Sequence, residues 1–285
     1  MRRGRLLTLG CAVFLTACGL LSGLDDLEVV PDPASTGGPS RPDATLVEED
    51  ASEPDVEVPP PDAGVDVDAS PPPRCDAPGL VAYWRFEEAS GNVVFDCTSR
   101  MTDGVLAGAY RVRARDGGAL GFDGGWVGVP DGSALKVSGD LTLVAWVRVA
   151  SPQALNGTTY VVGKTNDVDL GGYRLGIQNG NASMGIARAN GSVFARGGAV
   201  APLVWTHLAG VFRAGQQRLE VYIDGKLEDA VGSAAGVPNM LRDDGAEPRI
   251  GARGDGNNTF NGEIDDVRVY ERALSAQEIA TLATP

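Results

Sequence analysis

The residues able to carry out chemistry in this chain are few, and histidine is the scarcest of them. The chain of 285 residues has one histidine, His207, and four cysteines. A Ser–His or Cys–His catalytic set needs a histidine within hydrogen-bond reach of its nucleophile. His207 lies between Thr206 and Leu208 in an apolar stretch, which is typical of a hydrogen-bonded structural residue. Any chemistry therefore rests mainly on carboxylates and cysteines.

The most suggestive carboxylates lie in the segment Glu263-Ile264-Asp265-Asp266. Successive side chains of a strand point to opposite faces, so one of Asp265 and Asp266 should face the interior, where a lone carboxylate is costly. Calcium takes about six to eight oxygen ligands, and Asp123 on an earlier glycine-flanked turn supplies a second carboxylate. We predict a structural calcium ion bound by Asp123 and Asp265. The alternative is that these acids cap loops or pair with arginines such as Arg268.

The first 18 residues have the layout of an export signal. Three arginines precede an apolar run of 12 residues, Leu6–Ala17, which is too short to span a bilayer. Its end, Leu15-Thr16-Ala17-Cys18, resembles a bacterial lipobox. The resemblance implies that residues 1–18 are a lipoprotein signal and that Cys18 becomes the lipid-bearing first residue. The alternative is an ordinary secretory signal that is cleaved after Ala17.

Residues 19–73 have the composition of a disordered linker. They hold 14 of the 38 acidic residues, 11 of the 18 prolines and no aromatic residue. Such a segment cannot bury enough apolar surface to offset about 1–2 kcal/mol of backbone entropy per residue. Gly19, rather than Asp, follows Cys18, and by the sorting rule of Gram-negative lipoproteins this favours the outer membrane. We therefore expect a domain held in the cell envelope by a lipid anchor and an acidic tether.

Two further cysteines, Cys75 and Cys97, remain in the exported part of the chain. In an oxidising compartment two cysteines of one domain indicate a disulfide. The alternative, a thiolate metal site, needs a nearby histidine or more cysteines, and His207 is far along the chain. The closed loop should stabilise the fold by roughly 3 kcal/mol in the chain-entropy model.

Beyond residue 74 the apolar pattern has a period of two. One predicted strand has apolar residues on a single face: Leu141, Leu143, Ala145, Val147 and Val149. Gly-rich turns separate many such runs, and Asp224-Gly225 is typical of a tight hairpin. Near the end of the chain, Ser275 and Glu278 form a capping box that predicts a helix to about Leu282. The pattern predicts that residues 74–285 form an all-β, antiparallel sandwich with one short C-terminal helix.

Four tryptophans differ in their expected exposure. Trp84, Trp146 and Trp205 lie in predicted strands, so we expect them to fill the core. Trp126 follows Gly124-Gly125 at the edge of a loop, where an exposed ring is compatible with ligand stacking. Core packing is the alternative for Trp126 as well.

Six blocks of sequence, read in order, resemble the laminin-G-like family with its concanavalin A-like jelly roll. The blocks are Gly79–Glu88, Gly118–Gly124, Leu141–Val147, Trp205–Phe212, Leu219–Gly225 and Gly262–Ser275. The resemblance covers nearly all of residues 79–283. It implies two packed antiparallel sheets, often a structural calcium ion, and most often binding of carbohydrate or of a surface ligand.

Glucanases with the same jelly roll use a Glu-x-Asp-x-(x)-Glu strand that places a nucleophile and an acid on one face. Glu263-Ile264-Asp265 begins in this way, but the strand continues Asp266-Val267-Arg268, with no acid at the third position. The segment also lies near the C-terminus. We therefore expect no catalytic residues and no enzymatic activity.

The remaining hypotheses are binding functions. A net charge of −14 argues against nucleic acid, because phosphate recognition needs clustered basic residues. We predict a surface-tethered, non-catalytic binding module for carbohydrate or another envelope or extracellular ligand. The alternative is a structural or protein-interaction lipoprotein whose partner is a surface protein. Exposed aromatic residues beside polar loops would favour sugar, with candidate rim loops at 166–172, 179–182 and 255–261.

Overall fold

Alternating apolar and polar residues fold into strands from Leu80 onward. The structure, a computed structural model, describes residues 75–115, 117–166, 171–188 and 191–284. The predicted signal, Cys18 and the predicted linker lie outside the described residues. Within the described residues, no helix is both long enough and apolar enough to cross a membrane.

Sixteen strands and one α-helix occur in the described part of the chain. The strands are β1 (Leu80–Trp84), β2 (Val93–Val94), β3 (Gly104–Ala107), β4 (Tyr110–Ala114), β5 (Gly117–Asp123), β6 (Trp126–Gly128), β7 (Leu141–Val149), β8 (Thr158–Lys164), β9 (Tyr173–Gln178), β10 (Asn181–Arg188), β11 (Gly191–Ala199), β12 (Thr206–Arg213), β13 (Arg218–Ile223), β14 (Lys226–Val231), β15 (Arg249–Ile250) and β16 (Asn261–Tyr270). The helix, α1, spans Ala276–Leu282.

The strands form two sheets of eight strands. The first sheet has the order β14-β13-β12-β7-β16-β5-β4, and β1 also pairs with β16. The second sheet has the order β11-β10-β9-β8-β15-β6-β3-β2. Every strand pair inside the two sheets is antiparallel. The predicted all-β antiparallel sandwich with one short C-terminal helix is confirmed.

The core lies between the sheets and follows the period of two. In β7 the predicted face of Leu141, Leu143, Ala145, Val147 and Val149 packs inward. In β9 and β10 the inward set includes Leu175, Ile177, Met184 and Ile186. Burial of these side chains supplies most of the stabilisation, at about 25 cal/mol per Å² of apolar surface.

Strand β16 contains a bulge that changes the predicted positions of its two aspartates. Its register against β7 shifts between Asp265 and Arg268, and Asp266 has a φ of 51°. Ile264 and Val267 both belong to the core between the sheets, so the two intervening residues leave from the outer side. The expectation that Asp265 and Asp266 point to opposite faces is therefore wrong, because a bulge inserts one residue into the alternation.

The predicted disulfide between Cys75 and Cys97 is present, with their Cα atoms 5.3 Å apart. The backbone N–H of Cys75 also donates to the carbonyl of Cys97 at 2.8 Å. The N–H of Cys97 in turn donates to the carbonyl of Tyr83 in β1 at 3.0 Å. The bridge thus fixes the start of the domain to its first strand.

Helix α1 covers part of the outer face of the first sheet. Leu274 and Ile279 pack on a second apolar cluster that includes Val144, Val211 and Tyr222. The hairpin glycine Gly225 has a φ of +78°, and a Cβ at this position would lie 2.8 Å from Ala280. Glycine is therefore required for this turn to pass under the helix.

The predicted capping box begins α1. The Ser275 N–H donates to the Glu278 carboxylate at 2.8 Å, and the Glu278 N–H donates to Ser275 Oγ at 3.2 Å. Arg272 Nη2 also donates to Glu278 at 2.7 Å. The Arg272 guanidinium first, and then the Ser275 donors, lower the pKa of Glu278 to about 2.

We expect Glu278→Ala to lower the free energy of unfolding by about 1 kcal/mol at pH 7, since cap residues contribute roughly 0.5–2 kcal/mol. Because the folded pKa lies below the unfolded one, this contribution is present above about pH 4.3 and is lost as pH falls towards 2. Denaturant unfolding at pH 7 and pH 2.5 measures it. The matched control is Glu271→Ala, whose exposed carboxylate lies 3.6 Å from Arg100; an equal loss in both variants would contradict the capping role.

Candidate functional site

An open cleft of about 350 Å³ lies on the outer face of the first sheet, at the end away from α1. Its main lining residues come from β4, β5, β7, β16 and the loop before β12: Tyr110, Asp123, Arg148, Leu203, Asn261 and Glu263. The antiparallel register brings them together, because Asn261 is opposite Asp123 and Glu263 is opposite Arg148. The cleft therefore combines an aromatic ring, an aliphatic side chain and four hydrogen-bonding side chains.

On the polar side of the cleft, two pairs of side chains interact across neighbouring strands. Asn261 Nδ2 donates to Asp123 Oδ1 at 3.2 Å. Arg148 Nε donates to Glu263 Oε2 at 2.8 Å, and Arg148 Nη2 donates to the other carboxylate oxygen. The Arg148 guanidinium also lies over the Trp205 ring at 5.7 Å. Asp123 and Asn261 are exposed, so both present hydrogen-bonding atoms to solvent.

The apolar side of the cleft consists of the Tyr110 ring and the side chain of Leu203, whose backbone is strained. Tyr110 is 52% exposed and lies opposite Gly121 on β5. A Cβ at Gly121 would come within 2.4 Å of the Tyr110 ring, so glycine lets the ring lie flat on the sheet. Leu203 is 65% exposed with a φ of 63°, a region that bulky residues rarely adopt. Strain that presents an apolar side chain to solvent is typical of ligand-contact sites.

Such a cleft suits a hydroxylated ligand with an apolar face. An exposed ring can stack on the C–H face of a sugar, while carboxylate, amide and guanidinium groups bind its hydroxyls. Of the rim loops predicted from the sequence, 255–261 contributes Asn261, whereas Tyr110 was not among the predicted residues. The signal for Tyr110 is its cross-strand glycine, which can be recognised only once the strand register is known.

A larger groove of about 940 Å³ lies beside the hairpin of β4 and β5. Its walls are polar: Arg111 Nη1 donates to Glu88 at 2.8 Å, and the Gly118 N–H donates to Glu87 at 3.1 Å. Phe86, the ring among its described lining residues, is only 1% exposed. This groove lacks an accessible ring surface among those residues and is less suited to sugar stacking than the Tyr110 cleft.

A buried polar cluster surrounds the bulge of β16. Asp265 lies across from Trp146, and Trp146 lies across from His207. Arg115 Nε lies 3.5 Å from Asp265, and the Arg115 guanidinium sits 4.1 Å above the Trp146 ring. Burial, and next the charge of Asp266, raises the pKa of Asp265 to about 7 despite this guanidinium.

His207 is fully buried, as expected of a structural residue. Its ring packs edge-on against Trp146, with centroids 5.3 Å apart. The expected hydrogen bond is wrong for the ring, because neither ring nitrogen has a partner within the described residues. Burial lowers the pKa of His207 to about 3, so the imidazole is neutral at pH 7.

The tryptophans follow their predictions in part. Trp84 is 1% exposed and lies in the core, and Trp146 is buried but on the outer face of the first sheet. Trp205 is half-buried and precedes β12. Trp126 is also half-buried, with the Arg249 guanidinium 4.8 Å above its ring.

The structure places the two predicted calcium ligands apart. Asp123 pairs with Asn261 at the start of β16, and Asp265 follows four residues further along, about 13 Å away at ~3.3 Å per residue. The described residues contain no cluster of three or more His, Cys, Asp or Glu side chains suited to a metal ion. Asp123 and Asp265 thus do not fit a site that both would share. Calcium bound through one of them and backbone carbonyls stays a prediction.

The two packed sheets define a sandwich of the concanavalin A-like class. Residues 121–280 match the family model Laminin_G_3, the Concanavalin A-like lectin/glucanases superfamily. The match covers more than half of the chain, and the chain belongs to this family. A comparison with curated protein sequences finds no match.

Among solved structures, the chain is similar to domain 4 of AbnA, a GH43 extracellular arabinanase from Geobacillus stearothermophilus, in complex with arabinotriose. The identity is 20% and the TM-score 0.58, over 73% of this chain and 100% of that one. The binding domain of Paraclostridial Mosquitocidal Protein 1 is 18% identical, with a TM-score of 0.57 over 72% of this chain and 52% of that one. The binding domain of botulinum neurotoxin DC, in complex with rat synaptotagmin II, is 12% identical, with a TM-score of 0.55 over 72% and 51%.

The chain thus spans about half the length of the two toxin binding domains. At these identities the likeness shows a shared fold.

If calcium binds at Asp265, the melting temperature should rise with millimolar calcium and fall with chelator. An ion that binds only the native state stabilises it by about 2.7 kcal/mol at ~100 times its Kd. Asp265→Asn should abolish the response, and Asp123→Asn should reduce it if Asp123 contributes. Asp255→Asn, which alters a carboxylate already paired with Arg253, is the control. A melting temperature indifferent to calcium and chelator, with no metal by elemental analysis, would leave Asp265 as the ion-pair partner of Arg115.

Proposed function

We propose that the chain is a non-catalytic carbohydrate-binding module whose ligand lies in the Tyr110 cleft. The observation that carries the proposal is the half-exposed Tyr110 ring, held flat over Gly121. It lies beside the Asp123–Asn261 and Arg148–Glu263 pairs. An exposed ring next to polar groups is the arrangement that favours sugar over a flat protein contact.

The carboxylates of the cleft are arranged for binding rather than for hydrolysis. Both oxygens of Glu263 accept hydrogen bonds from Arg148, which fixes the carboxylate as an ion-pair partner. Asp265 lies further along β16, buried against Arg115. Glycoside hydrolysis needs two carboxyl groups that flank the bond to be cleaved. Of the two carboxylates among the described residues that line the cleft, Glu263 is paired with Arg148 and Asp123 with Asn261, and Asp265 does not line it.

Two of the similar structures support a binding role by analogy. Domain 4 of the arabinanase is solved with arabinotriose, and the mosquitocidal chain is a binding domain. An arabino-oligosaccharide is therefore the first ligand to try on this chain.

We further propose that the domain is anchored at the cell envelope. The lipobox-like Leu15–Cys18 supports a lipid anchor at Cys18, and residues 19–73 supply the spacer. A coil of that length extends roughly 40 Å on average. The module would then search for its ligand outside an outer membrane of the Gram-negative type.

A second candidate function is protein recognition. Leu203 and Val204 are 65% and 54% exposed and adjacent in sequence, and exposed apolar side chains grouped together are typical of interaction sites. The similar neurotoxin domain is solved with a protein, rat synaptotagmin II. A surface protein is therefore the alternative partner of the same end of the sheet.

We expect Tyr110→Ala to weaken oligosaccharide binding by about tenfold or more, because it removes the stacking ring and its apolar area. A glycan array that includes arabino-oligosaccharides identifies the ligand, and calorimetry measures its Kd. Leu227→Ala is the control, since Leu227 is 49% exposed on the edge strand β14. No glycan binding by the wild type would contradict the proposal, and protein capture that Leu203→Asp abolishes would favour the alternative.

We expect Cys18→Ala to move the protein from the membrane to the soluble fraction, because the thiol that accepts the lipid is lost. Fractionation followed by intact mass measurement tests this, with Cys11→Ala as the control inside the predicted signal. A Cys18→Ala protein that still sediments with membranes, together with a wild type lacking any lipid mass, would contradict the anchor.

A further inference from the structure

Arg174 is a buried cation on the outer face of the second sheet. Its neighbours Tyr173 and Leu175 point into the core, so Arg174 points to the other side of β9. The residue is only 3% exposed. Its Nε and Nη1 atoms have no hydrogen-bond partner within the described residues. An unpaired buried charge is costly unless something outside the chain compensates it.

Two aromatic rings and two glycines hold the guanidinium flat against the sheet. The Tyr160 ring lies 5.0 Å from it and the Phe194 ring 4.6 Å. A Cβ at Gly176 would lie 3.3 Å from Arg174 Nη1, and one at Gly185 would lie 3.2 Å from Nε. Ring contacts offset part of the cost of burial, but they leave the N–H donors of Nε and Nη1 unused within the described residues.

Arg196 is a second cation that acts on Arg174. Burial lowers the pKa of Arg174 to about 10, Tyr160 raises it and the charge of Arg196 lowers it. The guanidinium therefore stays charged at neutral pH. The Asp229 carboxylate accepts the backbone N–H of Arg196 at 2.8 Å, which places this negative charge on the Arg196 side of the patch.

Three donors meet on adjacent strands at this point. Arg174 Nη1 lies beside Gly176 of β9, and Gly176 is paired with Ser183 of β10. Ser183 is paired on its other side with Arg196 of β11. Ser183 Oγ is fully buried and has no partner in the described part of the chain. Strands are spaced about 4.8 Å apart, so the three residues share one patch of the outer face, and both guanidinium groups contact the Phe194 ring, at 4.6 Å and 4.3 Å.

The same face continues towards a second cation. Arg249 on β15 pairs with Gly163 on β8, and Gly163 pairs with Arg174. Arg249 and Arg174 are thus two strands apart, about 10 Å. The Nε of Arg249 is also buried without a partner in the described residues, and its guanidinium stacks on Trp126. The Nη2 of Arg249 lies 3.6 Å from the exposed Glu247 carboxylate. Two cations about 10 Å apart beside aromatic rings suit a polymer that carries more than one negative charge.

We propose that this face binds an acidic polysaccharide, with one carboxylate group of a sugar acid held by Arg174, Ser183 and Arg196. The unpaired Nε–H and Nη1–H groups of Arg174 can each donate a charge-assisted hydrogen bond to an oxyanion. Arg174 is only 3% exposed, so an anion reaches it only if the exposed Arg196 side chain, which rests on Phe194 at 4.3 Å, turns outward. This site lies on the second sheet, whereas the Tyr110 cleft lies on the first, and the two proposals stand independently.

Calorimetry on the full chain tests the proposal with an oligogalacturonide and with its carboxyl-reduced, neutral form. We expect the wild type to bind the acidic form, and Arg174→Met and Arg196→Gln to bind it about tenfold more weakly, because each loses a charge-assisted hydrogen bond. Ser183→Ala should lose less. The control Arg100→Gln removes an exposed guanidinium that pairs with Glu271 and should bind like the wild type. Tyr110→Ala should leave this binding unchanged, which separates it from the cleft.

Thermal unfolding in sodium sulfate and sodium chloride of equal ionic strength distinguishes a polymer-borne anion from a free one. Sulfate stabilises folded proteins in general, so the wild-type response is read relative to that of Arg174→Met. An Arg174-dependent sulfate response without oligogalacturonide binding would overturn the polysaccharide and leave a site for a free oxyanion. Equal responses to sulfate and equal affinities in all variants would overturn the site itself. If Arg174→Met does not unfold cooperatively, the same comparison is made with Arg196→Gln. Arg196 is exposed, so its replacement leaves the core unchanged.

Discussion

Strand β16 is hydrogen-bonded along both of its edges, and much of the first sheet depends on this. Strand β7 runs along one edge, while β5 occupies the first half of the other edge and β1 the second half. The two neighbours on that edge end near the same point, and the bulge at Asp265 and Asp266 lies there. The polar cluster follows from it: Asp266 accepts a hydrogen bond from Tyr83 of β1, and Arg115 after β4 reaches both aspartates. The first strands of the domain and its last strand are thereby joined through side chains as well as through backbone.

Much of the fold could be predicted because its signals are local. The alternation in β7, the Asp224-Gly225 turn and the Ser275–Glu278 capping box each depend on residues within a few positions of one another. The bulge could not be predicted, because it lies where the neighbouring strand of β16 changes from β5 to β1. Only the three-dimensional pairing of the strands creates that change. The same applies to His207, whose partner Trp146 comes from a strand some 60 residues earlier in the chain.

The candidate sites were harder to predict than the fold for a related reason. Tyr110 lies in a strand whose sequence, Tyr-Arg-Val-Arg-Ala, has no distinctive motif. Its exposure depends on Gly121, and the position of Arg174 depends on Gly176 and Gly185. In each case a glycine on the neighbouring strand, or two positions along the same strand, removes the side chain that would tilt the ring or the guanidinium away from the sheet. Sequence reasoning treats such glycines as turn residues, whereas here they flatten the surface on which a ligand can lie.

The disulfide between Cys75 and Cys97 has a mechanical consequence. A force applied to the chain before Cys75 enters the domain at this bridge and passes directly into Cys97. The loop between the two cysteines contains β1, and the covalent bond carries the force past this loop. Strand β1 cannot be peeled from β16 by a pull at the N-terminal side, because tension never runs along its backbone. Under such a pull the first strand to bear load lies beyond Cys97, and the pairing of β1 with β16 stays outside the path of the force.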